Sequence, residues 1–184
     1  MKTQDESKKT KWNFDPVHSE ISFKVKHLMI TNVKGVFREY SANIYSSADE
    51  IIPSDFEVII NPASVDTGEP SRDAHLKSPD FFDVENFREI KFNGKSYEKT
   101  EDEGNFLLHG DLTIRGVKKP VSLEVEYGGV VKDPWGNEKA GFTITGKINR
   151  KDWGLNWNTA LEAGGVLVAD EVKINSEVEL VKQA

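Results

Sequence analysis

The sequence predicts an all-β domain, and three observations carry the prediction. Apolar and polar residues alternate strictly along several segments, the pattern of strands with one buried face. Turn residues separate these segments, and no long helical period appears between them. The 184 residues, 37% hydrophobic and 30% charged, suit one domain with a real core.

The strands follow in order. Ile21, Phe23 and Val25 alternate with Ser22, Lys24 and Lys26. Tyr40, Ala42 and Ile44 form a second set, Phe56, Val58 and Ile60 a third, and Ile90 and Phe92 open a fourth. Phe106, Leu108, Gly110, Leu112 and Ile114 make the fifth, and Val121, Leu123, Val125 and Tyr127 the sixth. Phe142, Ile144, Gly146 and Ile148 give the seventh, and Val172, Ile174, Val178 and Leu180 the last. By the alternation criterion this is about eight strands. Asp133-Pro134-Trp135-Gly136 and the stretch from Gly116 to Pro120 read as tight connections. Residues 1–11 are polar and read as a disordered tail before a single domain over 12–184.

A sandwich and a closed barrel both tolerate one-sided strands. Long sequential strands with short links favour an up-and-down antiparallel barrel, which leaves no exposed edge. Two connections, 61–89 and 151–169, are long for a compact domain, and such segments are usually lids or binding loops. The first carries helix signals: Ser71 before Arg72–Leu76, and Ser78-Pro79-Asp80 as a second start. In a meander both long segments, and the link at Leu28-Met29-Ile30, fall at one end. That end is the predicted mouth. The other end has short links near 46–53, 99–104 and 132–137.

Composition excludes several functions. A net charge of -7 argues against nucleic acid as a partner and gives no general attraction to an anionic membrane. The absence of cysteine removes thiolate catalysis, disulfides and zinc ribbons. No apolar run reaches the roughly 20 residues of a membrane-spanning helix, so no integral segment is expected. The polar start lacks the apolar stretch of a secretory signal. As written, the sequence predicts a cytoplasmic protein, or a periplasmic or extracellular one if a signal was removed.

Catalytic signatures are missing: no G-x-S-x-G elbow, P-loop, G-x-G-x-x-G or H-E-x-x-H. His18, His27, His75 and His109 are scattered and read as surface or hydrogen-bonded histidines. No catalytic residue, metal site or cofactor is expected, although a serine–histidine–carboxylate set assembled by the fold stays open. No feature fixes a homodimer.

The predicted interior is apolar: Ile21, Phe23, Val25, Phe56, Val58, Phe106, Leu108, Leu123, Phe142 and Ile144. Gly94, Gly110 and Gly146 fall on inward phases, where they either open space for a ligand or mark bulges. At the mouth, Phe81, Phe82, Phe87, Trp153 and Trp157 either line an entrance or pack the loops onto the rim. Arg72, His75, Lys77, Arg115, Lys118, Lys119, Arg150 and Lys151 lie near the same end, mixed with Asp73, Asp80, Asp83, Glu85 and Asp152. Arg72 and His75 are the expected partners of a polar head group. The expected ligand-binding set is thus the apolar interior with Gly110, Gly146, Arg72, His75, Phe81, Phe82 and Trp153. A carrier is the leading reading. An enzyme acting on a small apolar substrate through His75 or Asp73, and an interaction module with a filled core, are the alternatives.

Several motifs in fixed order carry a family resemblance. They are Trp12 to Phe23 with His18-Ser19, Lys26-His27-Leu28-Met29 through Gly35 and Phe37, and Ser64-Val65-Asp66-Thr67. Arg72-Asp73-Ala74-His75-Leu76, Ser78-Pro79-Asp80-Phe81-Phe82-Asp83, Gly110 to Val117 and Asn149 to Trp157 follow. With these, the chain resembles the YceI-like family of bacterial lipid-binding proteins from about Trp12 to Val181. The resemblance implies an extended lipocalin-like barrel with eight strands and short helices between strands three and four. It also implies a polyisoprenoid or other long-chain lipid as ligand, and roles in isoprenoid storage or transport and in stress response. Many members of the family are periplasmic.

Overall fold

A computed structural model describes residues 9–47, 56–161 and 164–183. Eleven strands form one antiparallel sheet that closes on itself. β1 (Thr10–Phe14) and β2 (Glu20–His27) are one strand interrupted at 15–19, and β3 (Thr31–Phe37) and β4 (Tyr40–Ser46) are a second interrupted at 38–39. After β5 (Phe56–Ile60), a 3-10 turn at Pro62–Ser64, β6 (Val65–Asp66) and helix α1 (Pro70–Lys77) occupy the first long connection. β7 (Ile90–Lys99), β8 (Asn105–Ile114), β9 (Val117–Lys132), β10 (Glu138–Asn149) and β11 (Val168–Lys182) then run up and down.

β11 closes the barrel. One edge pairs with β10 from Glu171 to Val181. The other pairs with β2 from Val168 to Glu177 and with β1 from Leu180 to Lys182. With each interrupted pair counted as one strand, and the two-residue β6 set aside as an addition to the edge of β3, this is the closed eight-stranded antiparallel barrel of the sequence reading. Side chains alternate across the wall, so Val172, Ile174 and Val178 line the inside.

Several local expectations change. β1 begins at Thr10, so residues 10 and 11 belong to the barrel rather than to a tail. Residues 31–37 form a full strand on β2 instead of a link. β9 resumes at Val117 after a two-residue turn, with Arg115 and Gly116 at φ +50° and +71°, which places Pro120 inside the strand opposite Asp111. The proline is tolerated because β10 pairs with β9 only from Glu124 onward, leaving an open edge there. Much of the expected 46–53 connection lies outside the described residues.

In the 61–89 segment, α1 is capped by Glu69, whose carboxylate accepts from Ser71 N at 3.0 Å and Ser71 Oγ at 2.7 Å. Pro70 takes the first helical position, which moves the cap two residues upstream of Ser71. Ser78 ends the helix instead of starting another, because Pro79 forces the residue before it to be extended. The amides of Phe81 and Asp83 both donate to the Ser78 carbonyl and fold 79–83 into a turn.

The break between β1 and β2 is pinned by charge. Asp15 accepts from His18 and from Lys139 Nζ, both at 2.9 Å, and Lys139 also meets Glu179 at 3.0 Å. His18 first, then Lys139, hold the Asp15 carboxyl far below the usual carboxylate range. On acidification the unfolded chain therefore takes up this proton before the folded one. The stabilisation is present above about pH 4 and is lost as pH falls below it. Asp15→Asn should cost roughly 1.5–3 kcal/mol at neutral pH. Thermal melts over a pH series should show the gap to wild type shrinking below about pH 4; a gap independent of pH would contradict the assignment.

Candidate functional site: an apolar cavity and its rim

The barrel encloses a cavity of about 390 Å³ with a predominantly apolar wall. This lies within the usual range of about 300–1,000 Å³ for ligand pockets. Its depth runs from Phe14, Ile44, Phe142 and Leu180 near the plain end to Lys26, His27, Arg72, His75 and Trp157 at the mouth. On the plain-end side Phe106 meets Tyr97 edge-on at 5.7 Å.

Of the expected ligand-binding residues, Ile21, Phe23, Val25, Phe56, Val58, Leu108, Leu123, Phe142 and Ile144 line this cavity, as do Arg72, His75, Phe81 and Phe82 at the mouth. Phe106, Gly110, Gly146 and Trp153 are not part of its lining. Phe106 is buried with Tyr97. Trp153 is fully packed, its indole N–H donating to the Leu112 carbonyl at 2.9 Å, so it fastens the 151–167 loop to β8.

The inward glycines do not open the cavity. A Cβ on Gly94 would lie 2.3 Å from the Phe56 ring, one on Gly110 2.4 Å from the Asn93 carbonyl and 2.6 Å from the Phe92 ring, and one on Gly146 2.5 Å from Leu123 Cδ2. Each glycine is a seat for a neighbouring strand's side chain. Val33 and Phe37 also line the cavity and follow from β3, whose alternation is masked by Gly35 beneath the Phe23 ring. Leu155, Trp157 and Leu167 come from irregular backbone, which has no periodic signature.

The rim has two halves of different character. Arg150 is buried, and its guanidinium donates to the carbonyls of Leu155, Trp157, Val168 and Ala169. Burial pushes its pKa down and Asp170, 3.8 Å away, opposes the shift. The cation is thus committed to holding the 151–167 loop and is not a free rim charge.

On the other half, Arg72 donates to Thr67 Oγ1 at 2.7 Å and to the Thr67 carbonyl at 2.9 Å, while Thr67 donates to Asp73. His75 lies 2.8 Å from Asp80 and packs edge-on against Phe81 and Trp157, at 5.1 and 4.6 Å. Arg72 and His75 therefore reach the mouth, but with these internal partners. Asp73 accepts from Thr67 and is not paired with His75.

Two other clusters bear on chemistry. His109 lies 2.8 Å from Ser122 and 3.1 Å from Glu98, a serine–histidine–carboxylate row. It sits on the outer wall, on strands bonded into the sheet, and none of its three members lines the barrel cavity. Asp15, His18 and Glu179 offer three ligand atoms within 4.8 Å, a grouping invisible in sequence. The Lys139 ammonium already bonds both carboxylates, which disfavours a second cation there.

The YceI-like domain model matches residues 12–180. The chain belongs to the YceI-like family. Among its relatives, a UPF0312 protein of Staphylococcus epidermidis is 39% identical over 171 residues, covering 92% of this chain and 96% of that one. A UPF0312 protein of Staphylococcus aureus is 38% identical over the same length. The solved YceI protein of Campylobacter jejuni superposes with a TM-score of 0.74 at 38% identity, covering 86% of this chain and 90% of that one. A polyisoprenoid-binding domain from Saccharophagus degradans shares the fold at a TM-score of 0.71 and 12% identity, covering 94% of this chain and 98% of that one.

In this YceI-like barrel Arg150 is the most exacting rim residue. Arg150→Met should cost on the order of 3 kcal/mol, since four carbonyls lose their donor. Hydrogen exchange should accelerate across 154–161 and 164–168 in particular. Arg150→Lys should recover little, because an ammonium lacks the planar fork that spans these carbonyls.

Proposed function

We propose that the protein is a non-enzymatic carrier that encloses a long apolar ligand, a polyisoprenoid or similar lipid, for storage, transport or sequestration. The observation that supports this is the apolar cavity inside the barrel, whose charged lining residues gather at one end. Such a wall favours hydrocarbon: each methylene moved from water into it contributes about 0.8 kcal/mol, with no polar contact required. The polyisoprenoid-binding domain that shares the fold makes a prenyl chain the first ligand to test. The polar end of the ligand would meet Arg72 and His75, exchanging their contacts with Thr67 and Asp80.

The enzymatic alternative has less support. The groups it needs inside the cavity, Asp73 and His75, are not hydrogen-bonded to each other, and the serine–histidine row faces outward.

Organic extracts of protein purified without detergent should contain a long-chain lipid near stoichiometric amount by mass spectrometry. Ile144→Trp, which fills the cavity from β10, should fold and bind added polyprenyl compounds at least tenfold more weakly. An empty extract together with no binding of added polyprenyl compounds would overturn the carrier reading.

A further inference from the structure

The register of four adjacent strands assembles a feature that is scattered in sequence. Lys147 on β10 faces Lys173 on β11, Lys173 faces Lys24 on β2, and Lys24 faces Lys34 on β3. Their sequence neighbours Ile148, Val172, Phe23, Val25 and Val33 line the cavity, so the four lysines form one row on the outer wall. Lysines directly opposite one another repel. In a chain with 31 acidic and 24 basic residues, this arrangement is not an overflow of positive charge.

Lys34 bonds Glu20 at 2.7 Å, whereas Lys24, Lys147 and Lys173 have no carboxylate partner among the described residues. Lys26, exposed and opposite Asn32, adds a further cation one step nearer the mouth. Glu171 and Asp170 are acidic residues on the mouth side of the row, Asp170 paired with Lys151 at 3.3 Å, and Glu20 and Glu177 face each other on its other side.

Two of these strands end in an unusual hairpin. Leu28 and Met29 have φ of +53° and +63°, a conformation that glycine, asparagine and aspartate adopt with less strain. The turn is fixed by Ile30 N donating to the His27 carbonyl at 3.1 Å and Leu28 N to the Leu167 carbonyl at 2.9 Å. Leu28, Met29 and Ile30 are 39%, 51% and 77% exposed. Large apolar side chains are thus held in water, on strained backbone, beside the mouth-lining residues Lys26, His27, Leu167 and Val168.

We propose that this wall and hairpin form a docking surface for an anionic lipid bilayer, with Leu28-Met29-Ile30 entering the interface and the lysine row meeting phosphate head groups. One partner relieves both local costs. The distances agree. Lys24 lies four residues from Leu28, about 13 Å along the strand, or about 10 Å along a barrel axis tilted as usual. The head-group layer is about 5–7 Å deep and screening acts over about 8 Å. With the tip at the hydrocarbon boundary, the row lies within reach of the phosphates. A nucleic acid or acidic protein would use the lysines but leave the apolar tip in water. The net charge of the chain does not oppose docking, because only the face turned to the bilayer is sampled at this screening length. The inference rests on the carrier reading for its purpose, since docking presents the cavity mouth to lipid, but its contacts do not depend on the cavity's occupant.

The test is co-sedimentation with vesicles of phosphatidylcholine alone, and of phosphatidylcholine and phosphatidylglycerol in equal parts. Wild type should bind the anionic vesicles and lose binding at high salt. The Lys24→Gln/Lys147→Gln/Lys173→Gln variant should bind about fivefold more weakly per lysine removed, on the order of a hundredfold in all. Its melting temperature should not fall, because repulsion is removed with the charges. Met29→Asn/Ile30→Ser should weaken binding at least tenfold while relaxing the turn. Equal binding to both vesicles, no binding to either, or a lysine variant that binds as wild type would each overturn the proposal. Retention on heparin without vesicle binding would overturn it in favour of a soluble polyanion. Lipid extracts measured in parallel separate the two readings. An empty cavity with intact anionic-vesicle binding sinks the carrier and leaves the docking surface, and a loaded cavity without vesicle binding does the reverse.

Discussion

The structure depends on β11 serving two edges at once. A sheet with one apolar face must be covered or closed, and this one is closed by a strand bonded to β10 on one side and to β2 and β1 on the other. The two interruptions, at 15–19 and 38–39, fall side by side in neighbouring strands and let the wall bend where it joins itself. Lys139 lies across that bend, bonded to Asp15 and Glu179. These bonds are partly shielded from water, so their contribution exceeds that of exposed ion pairs.

Closure alone does not leave a cavity, because a small barrel can fill its interior with side chains. Here the aromatic rings of Phe56 and Phe92 and the side chain of Leu123 lie over Gly94, Gly110 and Gly146 on adjacent strands. A ring seated on a glycine extends along the wall more than across it. The glycines therefore act on the shape of their neighbours. Any larger residue at these positions would displace Phe56, Phe92 or Leu123 toward the centre, where all three already form the lining.

This also explains what could be read from the chain. Alternation of period two survives in any strand with one dry face, so β2, β8 and β10 were legible from residues such as Phe23, Leu108 and Ile144. β3 was not, because Gly35 occupies an inward position that only the Phe23 ring, on a neighbouring strand, explains. Arg150 read as a rim cation because its four acceptors are backbone carbonyls, which have no side-chain signature. The lysine row was equally hidden. Lys24, Lys34, Lys147 and Lys173 lie in three distant stretches of sequence, and register alone brings them together. Elements follow from local pattern; the cavity and the charged wall follow from cross-strand pairing, which a single sequence does not print.

The two halves of the rim are held by different physics, and this ranks them as routes for a ligand. The 151–167 loop is fixed by a buried guanidinium and by the Trp153 indole, and releasing it would leave a charge and several carbonyls without partners in a dry site. The α1 side is fixed by Arg72 on Thr67 and His75 on Asp80, hydrogen bonds that water can replace at small cost. Its apolar contacts, Phe82 on Phe37 and Phe81 on Trp157, would be exchanged for contacts with an incoming hydrocarbon rather than lost. Beside it, β6 reaches β3 only at Val36 and Phe37, which leaves the edge over 31–35 without a strand partner among the described residues. Opening therefore costs least between α1 and β3, next to the exposed hairpin, while Arg150 keeps the opposite side of the mouth in place.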